Sequence, residues 1–364
     1  MAQKRRSTAA KSTKKGTKKA PSKAAARTET RPQRKKMRIM PWLVAAGACM
    51  LCLCITMAEY VNPFYIFPTW DQLFTRAGSA ISQVGEKLGL ELDIFPDKPK
   101  EEQTVQTHST VEVHMIDVGQ ADAILIQAPE ANVLIDAGEN GCGEQVVAYL
   151  KAEGVTYLDL VIGTHAHSDH IGGMDVVLED MEIGKIILPD IPEESIPSAQ
   201  SYAKLLTAIL KEELSITEPK VGDSYALGDG AKLQILGPAG LFTDLNNTSV
   251  VCRLTYGEHA FLFTGDCEEQ GEASILHRRG LDLSADVLKV GHHGADTSTS
   301  DAFLLAVDPD IALISVGTGN DYGHPAPSTM EKLANSGAEI YRTDICGDIV
   351  VTSDGKTLKV STEK

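Results

Sequence analysis

Acidic and apolar side chains are nearly missing from the first forty residues. Glu29 is the only acid there, against fifteen Lys and Arg. A stretch with so little to bury cannot build a packed core, and it is expected to be a disordered tail. Charge is missing altogether from the next run, "PWLVAAGACMLCLCITMA", residues 41–58, which opens on Pro41 and closes on Ala58. Cysteine is scarce. Cys49, Cys52 and Cys54 lie in that uncharged run, where apolar packing accounts for them. The other four, Cys142, Cys252, Cys267 and Cys346, allow three disulfide pairings, and the sequence does not choose among them. An internal repeat is also absent, which excludes a solenoid.

What is present is a charge split. The chain as a whole stands at −16 and its first forty residues at +14, so the remainder carries −30. The tail reads either as a solvated topogenic segment or as a binder of anionic lipid or nucleic acid. At about 1.5 Å per residue, the uncharged run of residues 41–58 spans roughly 27 Å, enough for a slightly thin bilayer core. A secretory signal is the rival, since Thr56, Met57 and Ala58 form a passable cleavage site. Its apolar region would usually be only about 7–15 residues, so an uncleaved transmembrane signal anchor is expected. Lys and Arg before the anchor place the tail in the cytoplasm and everything after it outside the cell membrane, as a single-pass protein. Residues 59–108 then read as an amphipathic helix and a polar linker. Trp70, Leu73, Phe74, Ala77, Ile81, Val84 and Leu88 mark the apolar face, and Thr69 is available as N-cap.

From residue 109 to the C-terminus, short apolar runs alternate with helical stretches. "VEVHMID", "AILIQA", "NVLIDAG", "DLVIGT", "KIILPD", "DVLKVGHHG", "IALISVG", "EIYRTD" and "DIVVTSDG" predict strands. "SVVCRLTYGEHAFLFTGD" predicts a hairpin, "GEQVVAYLKAEG" a helix stopped by Gly154, and "SAQSYAKLLTAILKEEL" a longer helix. Further helices are expected near Phe303 and Met330. About a dozen strands with interleaved helices predict a layered α/β domain with sheets in the middle.

One stretch carries the chemistry. "THAHSDHIGG" follows directly on "DLVIGT" and sets His165, His167, Asp169 and His170 within six residues. Imidazole suits zinc, iron or manganese, and an added carboxylate shifts the preference toward harder ions. His165 and His167, at i and i+2 in an extended loop, point to one side and can reach one ion. Asp169 and His170 come one turn later and can hold a second. Strand ends facing a crevice are where α/β proteins build their sites.

This motif resembles the signature of the metallo-β-lactamase superfamily. The resemblance extends through "MIDVGQADAILI", "LIDAG", "NNTSVV", "FLFTGD", "LKVGHHG" and "YGHPAPS", over residues 111–353. Within the superfamily it is to the extracytoplasmic domain of ComEC-type competence proteins, which take up DNA. It implies a four-layer αββα sandwich and two divalent ions, Zn2+ or Mn2+. Carried over, it implies that His165 and His167 bind the first ion and Asp169 and His170 the second. Asp266 would bridge the two. One of His292 and His293 would complete the second site, with His293 favoured as ligand and His292 as substrate contact or proton donor. His324 would approach the substrate from a loop, or be a satisfied loop histidine. Asp117 and Asp136 are candidate supports at strand ends. For Asp117 and Asp122 a capped turn is an equal reading.

One departure stands out. Many members place another His between the first motif and the bridging Asp. Here that interval holds only His259, in a hairpin turn, so the first ion is expected to be short of a protein ligand.

The implied chemistry is hydrolysis by water that two ions activate, with Asp169 among the catalytic groups and His292 or His324 protonating the leaving group. A phosphodiester, in DNA, is the substrate the resemblance implies. The acidic body argues for a smaller phosphoester, since nucleic-acid affinity rests on Lys and Arg at phosphates. The other readings are hydrolysis of a β-lactam or thioester on the same fold, and a non-catalytic binding or scaffold protein.

Overall fold

The structure is a computed structural model that describes residues 110–364. The expected basic tail, membrane anchor, amphipathic helix and linker lie outside the described residues. Among the described residues no helix is long and apolar enough to cross a membrane.

Strands β1 (Val111–Met115), β2 (Ile124–Ala128) and β3 (Ala131–Ile135) form an antiparallel meander. β4 (Tyr157–Leu158) and β6 (Glu182–Ile183) pair only with each other, while β5 (Leu160–Ile162), β7 (Ile186–Ile187) and β8 (Ile216–Thr217) extend the sheet from β3 in parallel. The second sheet begins with β9 (Ser224–Ala226), β10 (Lys232–Ile235), β11 (Cys252–Tyr256) and β12 (His259–Phe263), all antiparallel. It continues in parallel through β13 (Val287–Lys289), β14 (Ile311–Ile314) and β15 (Glu339–Arg342). β16 (Ile349–Ser353) and β17 (Leu358–Thr362) return to the first sheet, where β16 pairs with β1.

The strands alternate because both of their faces are buried. In β3, Val133 and Ile135 enter the core between the sheets while Leu134 faces outward. β12 does the same with Phe261 and Phe263 inward and Leu262 outward. Outside the first sheet lie α1 (Gly143–Ala152), α2 (Ser168–Ile171), α3 (Met174–Asp180) and α4 (Gln200–Lys211). Val146, Leu150, Met174, Val177 and Leu205 pack there on Leu125, Leu134 and Val161. Outside the second sheet lie α5 (Glu269–Leu276), α6 (Asp301–Val307) and α7 (Pro327–Ser336). Their Ile275, Phe303 and Leu333 pack on Leu262, Leu288 and Ala312. Three apolar cores between four layers, two of helices and two of strands, make an αββα sandwich.

The described residues hold more strands than the dozen the sequence predicts. β4, β6, β8, β9, β10 and β17 are the additions. They are short or largely exposed, so their apolar signal is weak. "KIILPD" shrinks to Ile186–Ile187. The four body cysteines are all free.

His114 offers a test of this core. Its ring is buried in β1 and its Nδ1 lies 2.9 Å from the Tyr149 hydroxyl on α1. Burial pushes its pKa down to about 4. The unfolded value is about 6.5, so between these two the unfolded chain binds a proton that the folded chain refuses. Stability from this residue is complete above about pH 6.5 and drains away as pH falls toward about 4. Going from pH 7 to about pH 4.5, His114→Gln should lose about 2 kcal/mol less unfolding free energy in urea than the wild type. Equal losses in the two proteins would contradict this.

Candidate metal centre

β1, β3 and β5 of one sheet and β12, β13 and β14 of the other release their chains where the two sheets meet. Every candidate residue follows one of these strand ends. Asp122 follows β1, Asp136 follows β3, and His165 to His170 follow β5. Asp266 follows β12, and His292 and His293 follow β13. The chain folds back sharply here. Asp136 (φ 59°), His292 (φ 50°) and His293 (φ 53°) all hold left-handed backbone conformations. Each costs a non-glycine residue on the order of 1–3 kcal/mol, and such strain gathers at functional sites. Gly265, at φ 52°, lets the Asp266 turn pass against Thr164, where a Cβ would come within 2.9 Å of the threonine Cβ.

Asp266 is the hub. Its Oδ2 lies 3.1 Å from His170 Nε2, 3.6 Å from His292 Nε2, 3.7 Å from His293 Nε2 and 3.9 Å from His165 Nε2. Asp169 Oδ2 joins at 3.3 Å from His293 Nε2 and 3.9 Å from His170 Nε2. His167 Nδ1 lies 3.0 Å from His165 Nε2.

The remaining ring nitrogens explain the orientation. His170 Nδ1 donates to Asp136 Oδ2 at 2.8 Å, and His293 Nδ1 donates to the Ser315 carbonyl at 3.0 Å. With the proton held on Nδ1, each Nε2 presents its lone pair to the centre, the usual arrangement behind a metal-binding histidine. Thr164 fixes Asp136 in turn, donating from its N–H at 2.8 Å and its hydroxyl at 2.7 Å.

These residues fit a divalent cation. Asp169, His170, Asp266 and His293 each offer one donor atom, and those atoms lie within 4.8 Å of one another. His170 Nε2, His293 Nε2 and Asp266 Oδ1 are buried without a hydrogen bond. Buried polar atoms are rarely left so, and nitrogen with carboxylate oxygen is a transition-metal donor set. Asp122, Asp136 and His170 form a second acidic group, already occupied by the His170 and Lys289 contacts.

Charge shapes the protonation states. Burial works against ionised Asp266, but His170 and His293 beside it hold its carboxyl well below the usual range. Burial likewise opposes charge on His170, yet Asp266 and Asp136 raise it well above the ordinary imidazole value. Burial dominates at His165 and lowers it.

The structure brings together all six residues expected to hold metal: His165, His167, Asp169, His170, Asp266 and His293. Of the histidine pair, His293 is buried in the cluster, and His292 lies toward solvent with Nδ1 3.2 Å from Glu268 Oε1. His324 stands at the rim, its ring centroid 5.6 Å from that of His292. Asp136 and Asp122 both stand behind the centre, their Oδ2 atoms 2.8 Å and 3.8 Å from His170 Nδ1. Asp117 does not. It accepts from the Gly119 N–H in a turn, and its own N–H donates to Asp348. His259 is engaged elsewhere, 2.7 Å from the Ser353 hydroxyl. In place of a further histidine, "NNTSVV" supplies supports. Ser249 Oγ lies 3.4 Å from His165 Nδ1 and accepts from the Asp266 N–H at 3.1 Å. Asn247 Oδ1 accepts from the N–H groups of Glu268 and Gly271, at the start of α5.

Sequence reasoning missed Lys289. It reads as an ordinary strand residue, yet its ammonium is buried 2.5 Å from Asp122 Oδ2 and donates to the Gly265 carbonyl at 3.3 Å. The signal was a lysine inside an apolar strand with no polar alternation around it.

The family model described as the metallo-beta-lactamase superfamily matches residues 116–318. The chain belongs to the metallo-beta-lactamase superfamily. It is 34% identical over 257 residues to ComE operon protein 3 of Bacillus subtilis (strain 168), covering 65% of this chain and 32% of that protein. It is 32% identical over 233 residues to Competence protein ComA of Neisseria gonorrhoeae, covering 64% of this chain and 30% of that one. It is 31% identical over 248 residues to Recombination protein 2 of Haemophilus influenzae, covering 66% and 29%. The chain thus spans about a third of the length of these curated relatives. Members of this superfamily are generally metal-dependent hydrolases, and the His and Asp cluster is this chain's candidate site for divalent ions.

Lys289 provides the test. Burial opposes its charge, but Asp122, with Asp266 and Asp136 beyond, holds its pKa above the usual lysine range. Lys289→Met leaves a buried carboxylate without its partner and should cost about 3–5 kcal/mol in thermal or urea unfolding. Adding Asp122→Asn should recover part of that loss. Strictly additive losses would show that the pair is not coupled.

Proposed function

We propose that this chain is a membrane-anchored, extracytoplasmic phosphodiesterase of the competence type that depends on two divalent ions, Zn2+ or Mn2+, and acts on nucleic acid. The observation that carries the enzymatic reading is the set of buried, unpartnered donor atoms around Asp266. Orphaned imidazole nitrogens aimed at one point call for a metal ion, and the superfamily to which the fold belongs is generally one of metal-dependent hydrolases. The competence-named relatives support the phosphodiester, and the basic tail with the uncharged run of residues 41–58 supports the anchor and an anionic-lipid contact.

Asp169, His170, Asp266 and His293 would hold one ion, and His165 and His167 would hold the other beside Asp266. When bound, the ions supply water activated for attack near neutral pH and offset charge that develops at phosphorus. The chain's own groups do the rest. His292 is part-exposed, with Nε2 next to Asp266 and Nδ1 held by Glu268. Glu268 also accepts from the Thr297 hydroxyl at 2.9 Å and the Asn246 amide at 3.2 Å, so it is fixed in turn. That leaves His292 Nε2 at the part-exposed edge of the centre beside Asp266, placed to hand a proton to the leaving oxygen. His324 receives a long contact, 3.5 Å, from the Gln120 amide at Nδ1, which puts its own proton on Nε2. Burial and the neighbouring His292 and His293 hold its pKa below the ordinary value. It therefore acts as a neutral N–H donor to a phosphoryl oxygen.

The test uses the whole purified chain with Mn2+ or Zn2+, on bis-p-nitrophenyl phosphate, plasmid DNA and nitrocefin. Metal-dependent cleavage of the phosphodiesters is expected, falling at least about a hundredfold in Asp266→Ala. Turnover of nitrocefin alone would establish a β-lactam hydrolase instead. No metal-dependent turnover on any of the three would overturn the enzymatic reading.

A further inference from the structure

We propose that Tyr322 is a stacking platform for a nucleobase next to the scissile phosphodiester. The inference rests on the phosphodiesterase reading above and narrows it to single-stranded nucleic acid.

Tyr322 is 74% exposed, a large ring left facing solvent. One of its faces stacks on His324, with ring centroids 5.7 Å apart and planes 25° from parallel. His324 in turn stands beside His292, which borders Asp266. The exposed ring is thus the outermost member of an aromatic series that begins at the metal centre.

The segment that carries it is held rigidly. Asn320 Nδ2 donates to the carbonyls of Gly317 at 3.0 Å and His324 at 2.7 Å. Asn320 Oδ1 accepts from the N–H groups of Tyr322 at 3.1 Å and His324 at 3.0 Å. Gln120 Oε1 accepts from the Gly317 N–H at 3.0 Å and ties the segment to the loop after β1. One asparagine therefore makes four hydrogen bonds whose effect is to display a ring that buries little itself. A pre-organised ring loses little freedom on binding a flat partner.

Charge chooses the partner. With −30 on the chain beyond its tail, Lys and Arg contacts to phosphates cannot supply much of the affinity. Stacking needs no cation, and every base offers a π-face. In a duplex those faces are covered, so the ring selects for unpaired strands.

The experiment measures kcat and KM of the whole chain with Mn2+ on two substrates. One is a single-stranded oligodeoxynucleotide, and the other is the same backbone with abasic tetrahydrofuran spacers. Tyr322→Ala should raise KM on the base-bearing strand about tenfold and leave the spacer strand within about twofold. Tyr322→Trp should keep the wild-type KM. Equal effects on both substrates, or none on either, would overturn the proposal, as would a wild type that cleaves both strands with the same KM. A wild type that cleaves no phosphodiester would instead remove the reading on which the proposal rests.

Discussion

Four imidazole nitrogens converge within 4 Å on one buried carboxylate oxygen, Asp266 Oδ2. The rest of the site is arranged to make that contact tolerable. A buried carboxylate is costly unless positive charge stands next to it. Lys289 supplies one positive charge, but it is spent chiefly on Asp122. His170 and His293 take up protons more readily than an ordinary imidazole, which is a second source. Divalent ions would be a third, and would compete with those protons for the same lone pairs. Metal affinity and pH are therefore linked in this centre.

Position comes from the fold and orientation from hydrogen bonds. Six strands ending where the sheets meet bring together residues from 122 to 324. The sharp turns after β3 and β13 carry non-glycine residues in left-handed conformations, and the sandwich beneath them holds that strain. The rings of His170 and His293 are then aimed by Asp136 and the Ser315 carbonyl, with Asp136 held in turn by Thr164. None of these oxygens faces the centre as a donor, yet together they decide which ring nitrogen does.

Much of this was legible in the sequence. The strand "DLVIGT" ending at His165 announced both a buried strand and a site at its end, because an apolar run meeting a dense cluster of ligand types has few other meanings. Asp266 and His293 were legible only through resemblance, since nothing local ties them to a motif a hundred residues earlier. Asp117 and Asp122 looked alike as strand-end carboxylates. Which of them turns inward depends on Lys289, a partner more than 160 residues away that sequence spacing cannot reveal. Short edge strands such as β9 and β17 were missed because half-exposed pairs carry little apolar signal. "NNTSVV" was visible as a departure from the family pattern, while its work as a brace for Asp266 and α5 needed coordinates.

The acidic body no longer stands against a polyanionic substrate if stacking rather than phosphate contacts carries recognition. The claim beneath all of this is that the cluster around Asp266 holds metal. Anomalous scattering from crystals of the protein grown with Mn2+, and separately with Zn2+, tests it most directly. A peak at each metal's absorption edge, within coordination distance of Asp169, His170, Asp266 and His293, is the expected result. Crystals that bind the ion elsewhere, with no peak among those four side chains, would contradict it.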